Sequence, residues 1–255
     1  MKSPSVSEDV RLRSESLAVW ELSAADRRAM FDVFLRHYDC VSWERFNRDL
    51  DEKSCAIVLR GEDGEICGFS TQKIMRAAVD GVPIRAVFSG DTIVDRRSWG
   101  DQELGKAWCR YVASLYAEEP ETRLYWFLIS KGFRTYLYLP LFFHDFYPCW
   151  STPAPRFEQR VLNMLASLKF GEHYNPESGL ITFPESQGQL RPEFASVPAR
   201  RLSHPHVRFF LERNPGYKFG SELACLAEIS PCNMKLFAGR IMNQFQPSQS
   251  LSGGD

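Results

Sequence analysis

The sequence lacks the cysteine spacings and the long apolar runs that define several protein classes. Its seven cysteines are scattered and no two form a Cys-x-x-Cys pair, which argues against a zinc site or a disulfide framework. The start of the chain has no apolar stretch of the kind found in secretory signals. The best candidate for a membrane helix, residues 137–143, is short and contains Pro140. We therefore expect a cytoplasmic protein with reduced cysteines, no membrane span and no metal.

The sequence also lacks an excess of charge of either sign. Its 31 lysines and arginines face 32 acidic residues, which leaves a formal net charge of −1. This balance excludes a broadly basic surface for nucleic acid, and the pairs Arg96-Arg97 and Arg200-Arg201 are too small to replace one. We therefore expect no nucleic-acid partner. Aromatic residues are plentiful, at 13% of the chain, and are sufficient for a large core or an apolar ligand channel.

The spacing of apolar residues predicts a mixed α/β domain. Ser23 is expected to cap the first helix, because Asp26 follows it at the acidic position of a capping box. Strands are predicted over residues 17–22, 55–59, 66–75, 84–94, 124–129, 180–183 and 223–229. Helices are predicted over residues 24–35, 43–50, 104–115, 156–168 and 205–213, with a short aromatic helix ending near Pro140. This order predicts a mixed, mostly antiparallel sheet flanked by helices.

Composition also predicts how the chain is divided. Residues 1–15 and 244–255 are expected to be disordered because they are rich in Ser, Glu, Gln and Gly. Residues 16–150 would form the core of the domain, and residues 151–243 its C-terminal part with extra helices and strands. An insertion with several prolines, residues 184–213, is expected to form a lid or a wall of a binding site.

The segment between the long strand and the following helix has the composition of an anion site. Residues 94–105 read Val-Asp-Arg-Arg-Ser-Trp-Gly-Asp-Gln-Glu-Leu-Gly, which places two glycines and two arginines before a helix N-terminus. The segment is neither a Walker loop nor a Gly-x-Gly-x-x-Gly motif. An ordinary glycine-containing turn is the alternative interpretation.

That loop, together with the order of elements over residues 17–148, resembles the GNAT acyltransferase superfamily. The loop of that family usually reads Val-x-Pro-x-x-Arg/Gln-Gly-x-Gly-x-Gly/Ala, and Gly100 and Gly105 match its first and last glycines. Arg96, Trp99 and Gln102 depart from the pattern, and the loop is one residue longer. The chain is therefore similar to a divergent member, with a GNAT-like (acyl-CoA N-acyltransferase) fold.

The resemblance implies a donor site for a thioester. In the family, the pantetheine of acyl-CoA or of an acyl carrier protein lies along the fourth strand, in a splay between it and the fifth. The diphosphate lies on the loop amides, so no permanently bound cofactor is needed. The positions implied here are Ile93 and Val94 for pantetheine, and Arg97, Gly100, Gln102 and Gly105 for phosphates.

The resemblance also implies a catalytic base and acid. Acyl transfer to an amine requires a base for the ammonium proton and an acid for the departing thiolate. Asp91 lies where the family often holds its base, and Tyr138, or else Tyr136, lies where it holds its acid. The alternatives are a solvated position for Asp91 and ordinary packing for both tyrosines.

Four further residues are expected to line the acyl or acceptor pocket. Ser130 stands where the family often has Asn, and Phe143, His144 and Tyr147 belong to the densest aromatic stretch of the chain. The expected function is an N-acyltransferase that moves an acyl group from acyl-CoA or an acyl carrier protein to a small-molecule amine. The alternatives are an inactive binding module of the same fold and a Cys/His hydrolase using His144 and Cys149.

Overall fold

A computed structural model describes residues 12–245 and is built on one large sheet. The strands in this range are β1 (Arg13–Ala18), β2 (Tyr38–Asp39), β3 (Cys55–Arg60), β4 (Ile66–Val79), β5 (Val82–Val94), β6 (Arg123–Ser130), β7 (Tyr174–Asn175), β8 (Leu180–Ile181), β9 (Gln189–Leu190) and β10 (Glu222–Ile229). The α-helices in this range are α1 (Ala24–His37), α2 (Trp43–Asp51), α3 (Glu103–Glu118), α4 (Phe133–Tyr136), α5 (Tyr138–Phe142), α6 (Arg156–Phe170), α7 (Pro192–Ala195), α8 (Pro205–Arg213) and α9 (Leu236–Gln244).

Eight of the strands form the main sheet in the order β1-β3-β4-β5-β6-β10-β8-β7. Every neighbouring pair is antiparallel except β5 and β6, which run parallel because α3 crosses over between them. The predicted mixed, mostly antiparallel sheet flanked by helices is confirmed. The remaining strands, β2 and β9, form a separate two-stranded ribbon.

Helices cover the sheet on two faces. One face carries α1 and α2 over β3, the start of β4 and the end of β5, and α6 over the rest of β4 and β5 together with β6 and β10. The other face packs against α3, α4, α5, α8 and α9 in the largest apolar cluster, which includes Trp108, Trp126 and Phe143. No helix within residues 12–245 combines the length and the apolar composition that crossing a membrane requires.

Most predicted elements lie where the sequence placed them, and the differences are at the edges. Ser23 does cap α1, with its hydroxyl accepting from the Asp26 amide at 3.0 Å. The first strand is β1, so residues 13–15, expected to be disordered, belong to the sheet, whereas Val19–Glu21, expected to continue a strand, form a 3-10 turn. This edge strand pairs only with β3 and is largely polar, so it shows no apolar alternation to detect. The predictions for residues 1–11 and 246–255 lie outside the described residues.

The proline-rich insertion contains a short segment, residues 187–195, which we call the strap. Its β9 residues pair with β2 in the register Tyr38↔Leu190 and Asp39↔Gln189. The Arg191 amide then donates to the carbonyl of His37 at 3.0 Å. The strap is thereby fastened to the C-terminal end of α1.

Candidate functional site

The parallel strands β5 and β6 separate partway along the sheet. Their pairing runs from Ile84↔Arg123 to Ser89↔Leu128 and then stops. Residues 92–94 of β5 continue to pair with β4 on their other side. A gap therefore opens beside the last residues of β5, as the resemblance implied.

A β-bulge in β5 opens this gap and determines which side chains border it. Ser89 pairs with Gln72 and Thr92 with Ser70, so Gly90 and Asp91 together lie opposite one residue of β4. An extra residue bends a strand and reverses the alternation of its side chains. Before the bulge, the odd-numbered side chains of β5, such as Arg85 and Val87, point to the face of the sheet that carries α3. After the bulge, the side chain of Asp91 points to the opposite face, toward α2.

Glycine is required at the bulge because a lysine crosses it. A Cβ on Gly90 would lie 2.7 Å from Cε of Lys53 and 2.8 Å from Oγ1 of Thr71. Lys53 is buried, and its ammonium pairs with Asp49 one helical turn earlier on α2. The bulge, the buried lysine and Asp91 therefore form one packed unit.

Two cavities open on either side of the gap. The first, of about 330 Å³, lies under α2 and α6, and we call it the charged cavity. It is lined by Phe34, Tyr38, Val41, Ser42, Arg45, Phe46, Asp49, Glu52, Lys53, Phe88, Gly90, Asp91, Thr92, Ile129, Lys131, Thr135, Lys169, Phe170, His173, Phe183, Gln187 and Glu222. This volume, and the similar volume of the second cavity, are in the range of small-ligand sites.

The second cavity, of about 310 Å³, lies against the β5–α3 loop, and we call it the loop cavity. It is lined by His37, Tyr38, Thr92, Ile93, Val94, Ser98, Trp99, Gly100, Asp101, Gly132, Arg134, Thr135, Tyr138, Leu190 and Phe194. Tyr38, Thr92 and Thr135 line both cavities. A small third cavity of about 30 Å³ lies behind the gap and is lined in part by Thr92, Gly105 and Tyr138.

Asp91 is half-buried in the charged cavity and has the electrostatics of a base. Burial, together with the nearby Asp49 carboxylate, raises the pKa of Asp91 to about 7. Lys53 and Lys131 oppose this rise in pKa, and Glu222 adds to it. Its backbone N–H is held by the Thr71 hydroxyl at 3.1 Å, which fixes the start of the side chain. A carboxyl group with a pKa near neutrality is suited to accepting a proton reversibly.

Tyr38, which the sequence did not single out, lies at the junction of the two cavities. Its ring stacks on Phe34 with 4.8 Å between centroids, and the Lys131 ammonium lies 5.5 Å from the ring centre. Burial and the carboxylates of Asp91 and Glu222 raise the pKa of the Tyr38 hydroxyl. This hydroxyl is therefore protonated at neutral pH and able to donate. No sequence motif marks Tyr38, because it follows α1 and reaches the gap only through the fold.

The β5–α3 loop uses many of its own amides. The Asp95 carboxylate accepts from the Arg97 amide at 3.1 Å, and the Asp101 carboxylate accepts from the Glu103 amide at 2.6 Å. The amides of Ser98, Trp99 and Asp101 donate to carbonyls within the loop. The amides of Gly100 and Gln102 are not among these donors. Gly100 has a φ of +101°, and nothing lies within 4 Å of the position of a Cβ there.

An arginine from outside the loop, Arg134, adds positive charge beside it. The Arg97 guanidinium pairs with Asp95 at 3.4 Å and is otherwise exposed. Arg134, which lines the loop cavity, has its pKa lowered by burial and by the nearby guanidinium groups of Arg201 and Arg96. These three cations are contributed by three separate segments, so sequence spacing could not bring them together.

The indole of Trp99 caps part of the strand at the gap. Its N–H donates to the Val94 carbonyl at 2.9 Å, and Arg134 stacks over its ring at 4.9 Å. The Ile93 carbonyl lies 2.8 Å from the position of a Cβ on Gly68, so it points toward β4. Successive residues of an antiparallel strand point their N–H and C=O groups to opposite sides, so the backbone groups of Thr92 and Val94 point away from β4, toward the gap. Thr92 is thus better placed than Ile93 to bind a ligand through its backbone.

The other predicted site residues are divided between the gap and the core. Tyr138 lines the loop cavity and the small cavity, Gly105 lines the small cavity, and Gln102 is the N-cap of α3. Tyr136 is fully buried, and its hydroxyl donates to the Pro148 carbonyl at 2.8 Å. Its burial among aromatic rings supports packing, the alternative interpretation.

The four residues expected to line the acyl or acceptor pocket lie away from the two large cavities. Ser130 is buried, and its hydroxyl donates to the Gly132 carbonyl at 2.8 Å. Phe143 is in the core against Trp126, and the Tyr147 amide bonds to Leu226 on β10. His144 is exposed on the surface. The segment from Phe143 to Tyr147 packs beside β10 and does not border the gap.

Comparison with known proteins finds likeness only among solved structures. No family model matches the chain, and no curated protein matches it. A conserved protein of Enterococcus faecalis, described as a probable N-acyltransferase, is 13% identical over 53% of this chain and 33% of its own, with a TM-score of 0.41. This chain thus spans about a third of that protein's length.

Two further structures hold a ligand. A GNAT-family N-acetyltransferase of Escherichia coli in complex with CoA is 14% identical over 55% of this chain and 72% of its own, with a TM-score of 0.37. The N-myristoyltransferase of Saccharomyces cerevisiae with bound myristoyl-CoA is 12% identical over 51% of this chain and 33% of its own, with a TM-score of 0.36. These overlaps are partial, and the functional assignment of this chain rests on the geometry of its own gap.

Proposed function

We propose that this chain is a divergent GNAT-type N-acyltransferase that moves an acyl group from acyl-CoA to an amine. One observation carries the proposal: the two large cavities meet at the gap beside β5. A carboxyl group with a pKa of about 7 lies on one side of the gap, and the Arg134 guanidinium, beside the β5–α3 loop, lies on the other. The carboxyl group is suited to removing a proton from an acceptor amine, and the guanidinium is suited to binding the phosphates of a donor.

The donor would occupy the loop cavity. Its pantetheine amides would pair with the backbone of Thr92 and with the Val94 amide at the gap, because these groups lack a neighbouring strand there, whereas the Val94 carbonyl is bonded to Trp99. Its phosphates would lie near Gly100, whose open backbone admits a close approach, and near the Arg134 guanidinium. An acyl carrier protein, whose pantetheine arm carries a single phosphate, is the alternative donor.

The reaction follows from the positions of Asp91 and Tyr38. The acceptor ammonium would lose a proton to the Asp91 carboxylate, and the resulting amine would attack the thioester carbonyl at the gap. A C–N bond forms, the C–S bond breaks, the nitrogen releases its second proton to solvent, and the departing thiolate takes a proton from a tyrosine hydroxyl. Proton exchange with solvent then restores the ionised Asp91 and the protonated tyrosine.

Tyr38 and Tyr138 are the two candidates for the acid. Tyr38 lies at the junction of the cavities, whereas Tyr138 lies beyond the gap, with its ring stacked on Phe142. We expect Tyr38→Phe to lower kcat about tenfold to a hundredfold with little change in KM, because the variant keeps the ring and loses only the proton. Steady-state kinetics of Tyr38→Phe beside Tyr138→Phe measure this. A larger loss of kcat in Tyr138→Phe would transfer the role to Tyr138.

The direct test is product formation. The protein is incubated with acetyl-CoA or longer acyl-CoAs and a panel of amines, and N-acyl products are sought by mass spectrometry together with thiol release. The proposal expects both signals, and it expects acyl-CoA to raise the melting temperature. Acyl-CoA binding without any product would favour the inactive binding module, for which the internal hydrogen bonds of the loop are the supporting observation.

A further inference from the structure

Most of the charge in the charged cavity is already neutralised by the protein. Its lysines and its carboxylates form three ion pairs, Lys53–Asp49, Lys131–Glu222 and Lys169–Glu52. The side chain of Lys53 is fully buried, and those of Lys131 and Lys169 are nearly so. Such pairs are held by their surroundings and are poor partners for an incoming ion.

Two side chains of opposite charge are left over. Asp91 and Arg45 both line the cavity, and neither forms an ion pair with another residue in the range 12–245. One N–H of Arg45 donates to the Ser186 carbonyl at 2.5 Å, just before the strap. The other N–H groups of the guanidinium remain for a ligand, because this side chain has five donors in a fork.

The two unpaired groups lie at different depths of the cavity. Asp91 follows Gly90, which packs against Lys53, and Lys53 pairs with Asp49. Arg45 precedes Asp49 by four residues on α2, so it lies about one helical turn, roughly 5.4 Å, farther along the helix. A ligand with opposite charges a few bonds apart would span this separation.

We propose that the acceptor is an amino-carboxylate, whose ammonium binds at Asp91 and whose carboxylate binds at Arg45. This assignment rests on the proposed acyl transfer for its chemistry and names the substrate class of the same site. A guanidinium fork matches a carboxylate in two parallel hydrogen bonds, whereas an uncharged amide or a bare amine leaves it unmatched.

The rest of the cavity fits a compact apolar side chain on that ligand. Phe88, Phe170 and Phe183 form one wall, with Phe88 and Phe170 edge to face at 5.9 Å. The volume of about 330 Å³ admits an amino acid with an aromatic or branched side chain. L-Phenylalanine is therefore a suitable probe, with L-phenylalaninamide and 2-phenylethylamine as probes that lack the carboxylate.

The experiment compares these three probes in binding and in turnover. Binding is measured by calorimetry in the presence of CoA, and turnover with an acyl-CoA as kcat/KM. In the wild-type protein we expect phenylalanine to be preferred at least about tenfold over both analogues, because only phenylalanine pairs with the guanidinium. In Arg45→Gln the preference should fall to about twofold or less. Glutamine can still donate to the Ser186 carbonyl, which keeps that contact.

Arg48→Gln is the matched control. It removes the same charge from an exposed position on α2 and should keep the preference for phenylalanine over its two analogues. Turnover without a preference for phenylalanine overturns the amino-carboxylate and leaves acyl transfer standing. A binding preference that depends on Arg45, without turnover of any amine, supports the amino-carboxylate and overturns acyl transfer. Absence of both binding and turnover for all three probes overturns both.

Discussion

Asp91→Asn is expected to lower kcat about a hundredfold to a thousandfold while leaving acyl-CoA affinity within about twofold. The substitution keeps the shape of the side chain and removes its capacity to accept a proton, and general-base catalysis contributes on this scale. The proposed site for acyl-CoA is the loop cavity, which Asp91 does not line. Steady-state kinetics and calorimetric titration measure the two effects. Asp63→Asn, in an exposed turn, is the matched control.

The pH dependence of the same variant provides a second readout. Since only the ionised carboxylate accepts a proton, wild-type kcat/KM should rise with pH through about 7, the pKa to which burial and Asp49 raise Asp91. Asp91→Asn should lose this limb of the profile. A variant that kept both kcat and the limb would show that another group is the base.

The stability of the variant should move in the opposite direction to its activity. The Asp91 carboxyl keeps its proton up to about pH 7 in the folded protein but releases it near its ordinary pKa of 3.8 when unfolded. Because the folded state binds more protons in this window, the contribution of Asp91 to stability falls as pH rises from about 4 to about 7. Asp91→Asn escapes this loss, so its melting temperature above pH 7 should equal or exceed that of the wild type.

Gly100→Glu is expected to weaken acyl-CoA binding by about a hundredfold or more. The position is open, so the new carboxylate would project where the donor phosphates are proposed to lie and repel them. The backbone φ of +101° adds strain to any side chain there, worth about 1–2 kcal/mol of stability. The thermal shift caused by acyl-CoA measures the loss of binding.

Gly64→Glu separates the loss of binding from the strain. Gly64 has a φ of +81° and equally open surroundings, but it lies in the turn between β3 and β4. Both variants should lose comparable stability, and only Gly100→Glu should lose the acyl-CoA shift. Equal shifts in the two variants would place the donor elsewhere.

The fold was predictable from the sequence because its signals are local. Apolar runs bounded by turns identified β3, β4 and β5, and a capping box marked the start of α1. Elements without such signals were missed: β1 is a polar edge strand, and β2 and β9 are two-residue strands that exist only through each other. Tertiary pairing, rather than residue propensity, forms these elements.

The site was predictable only in part, because its residues are brought together across long distances. Asp91 and Gly100 belong to one strand and its loop, so their proximity to the gap followed from position. Tyr38, Arg134 and Arg45 reach the cavities from three other segments. The prediction for the aromatic stretch around Phe143 failed because closeness in sequence was taken for closeness in space. The stretch follows the end of β6 in the chain, but it packs against β10.

The bulge in β5 also limits how the length of this chain can change over evolutionary time. Many substitutions at nearby positions leave the strand's path intact, but loss of the one surplus residue would exchange inward and outward side chains from Asp91 to Val94. The carboxyl group would then face α3, and Ile93 would leave its apolar cluster. Insertions and deletions at this point should therefore be tolerated far less than in the turns at either end of β4.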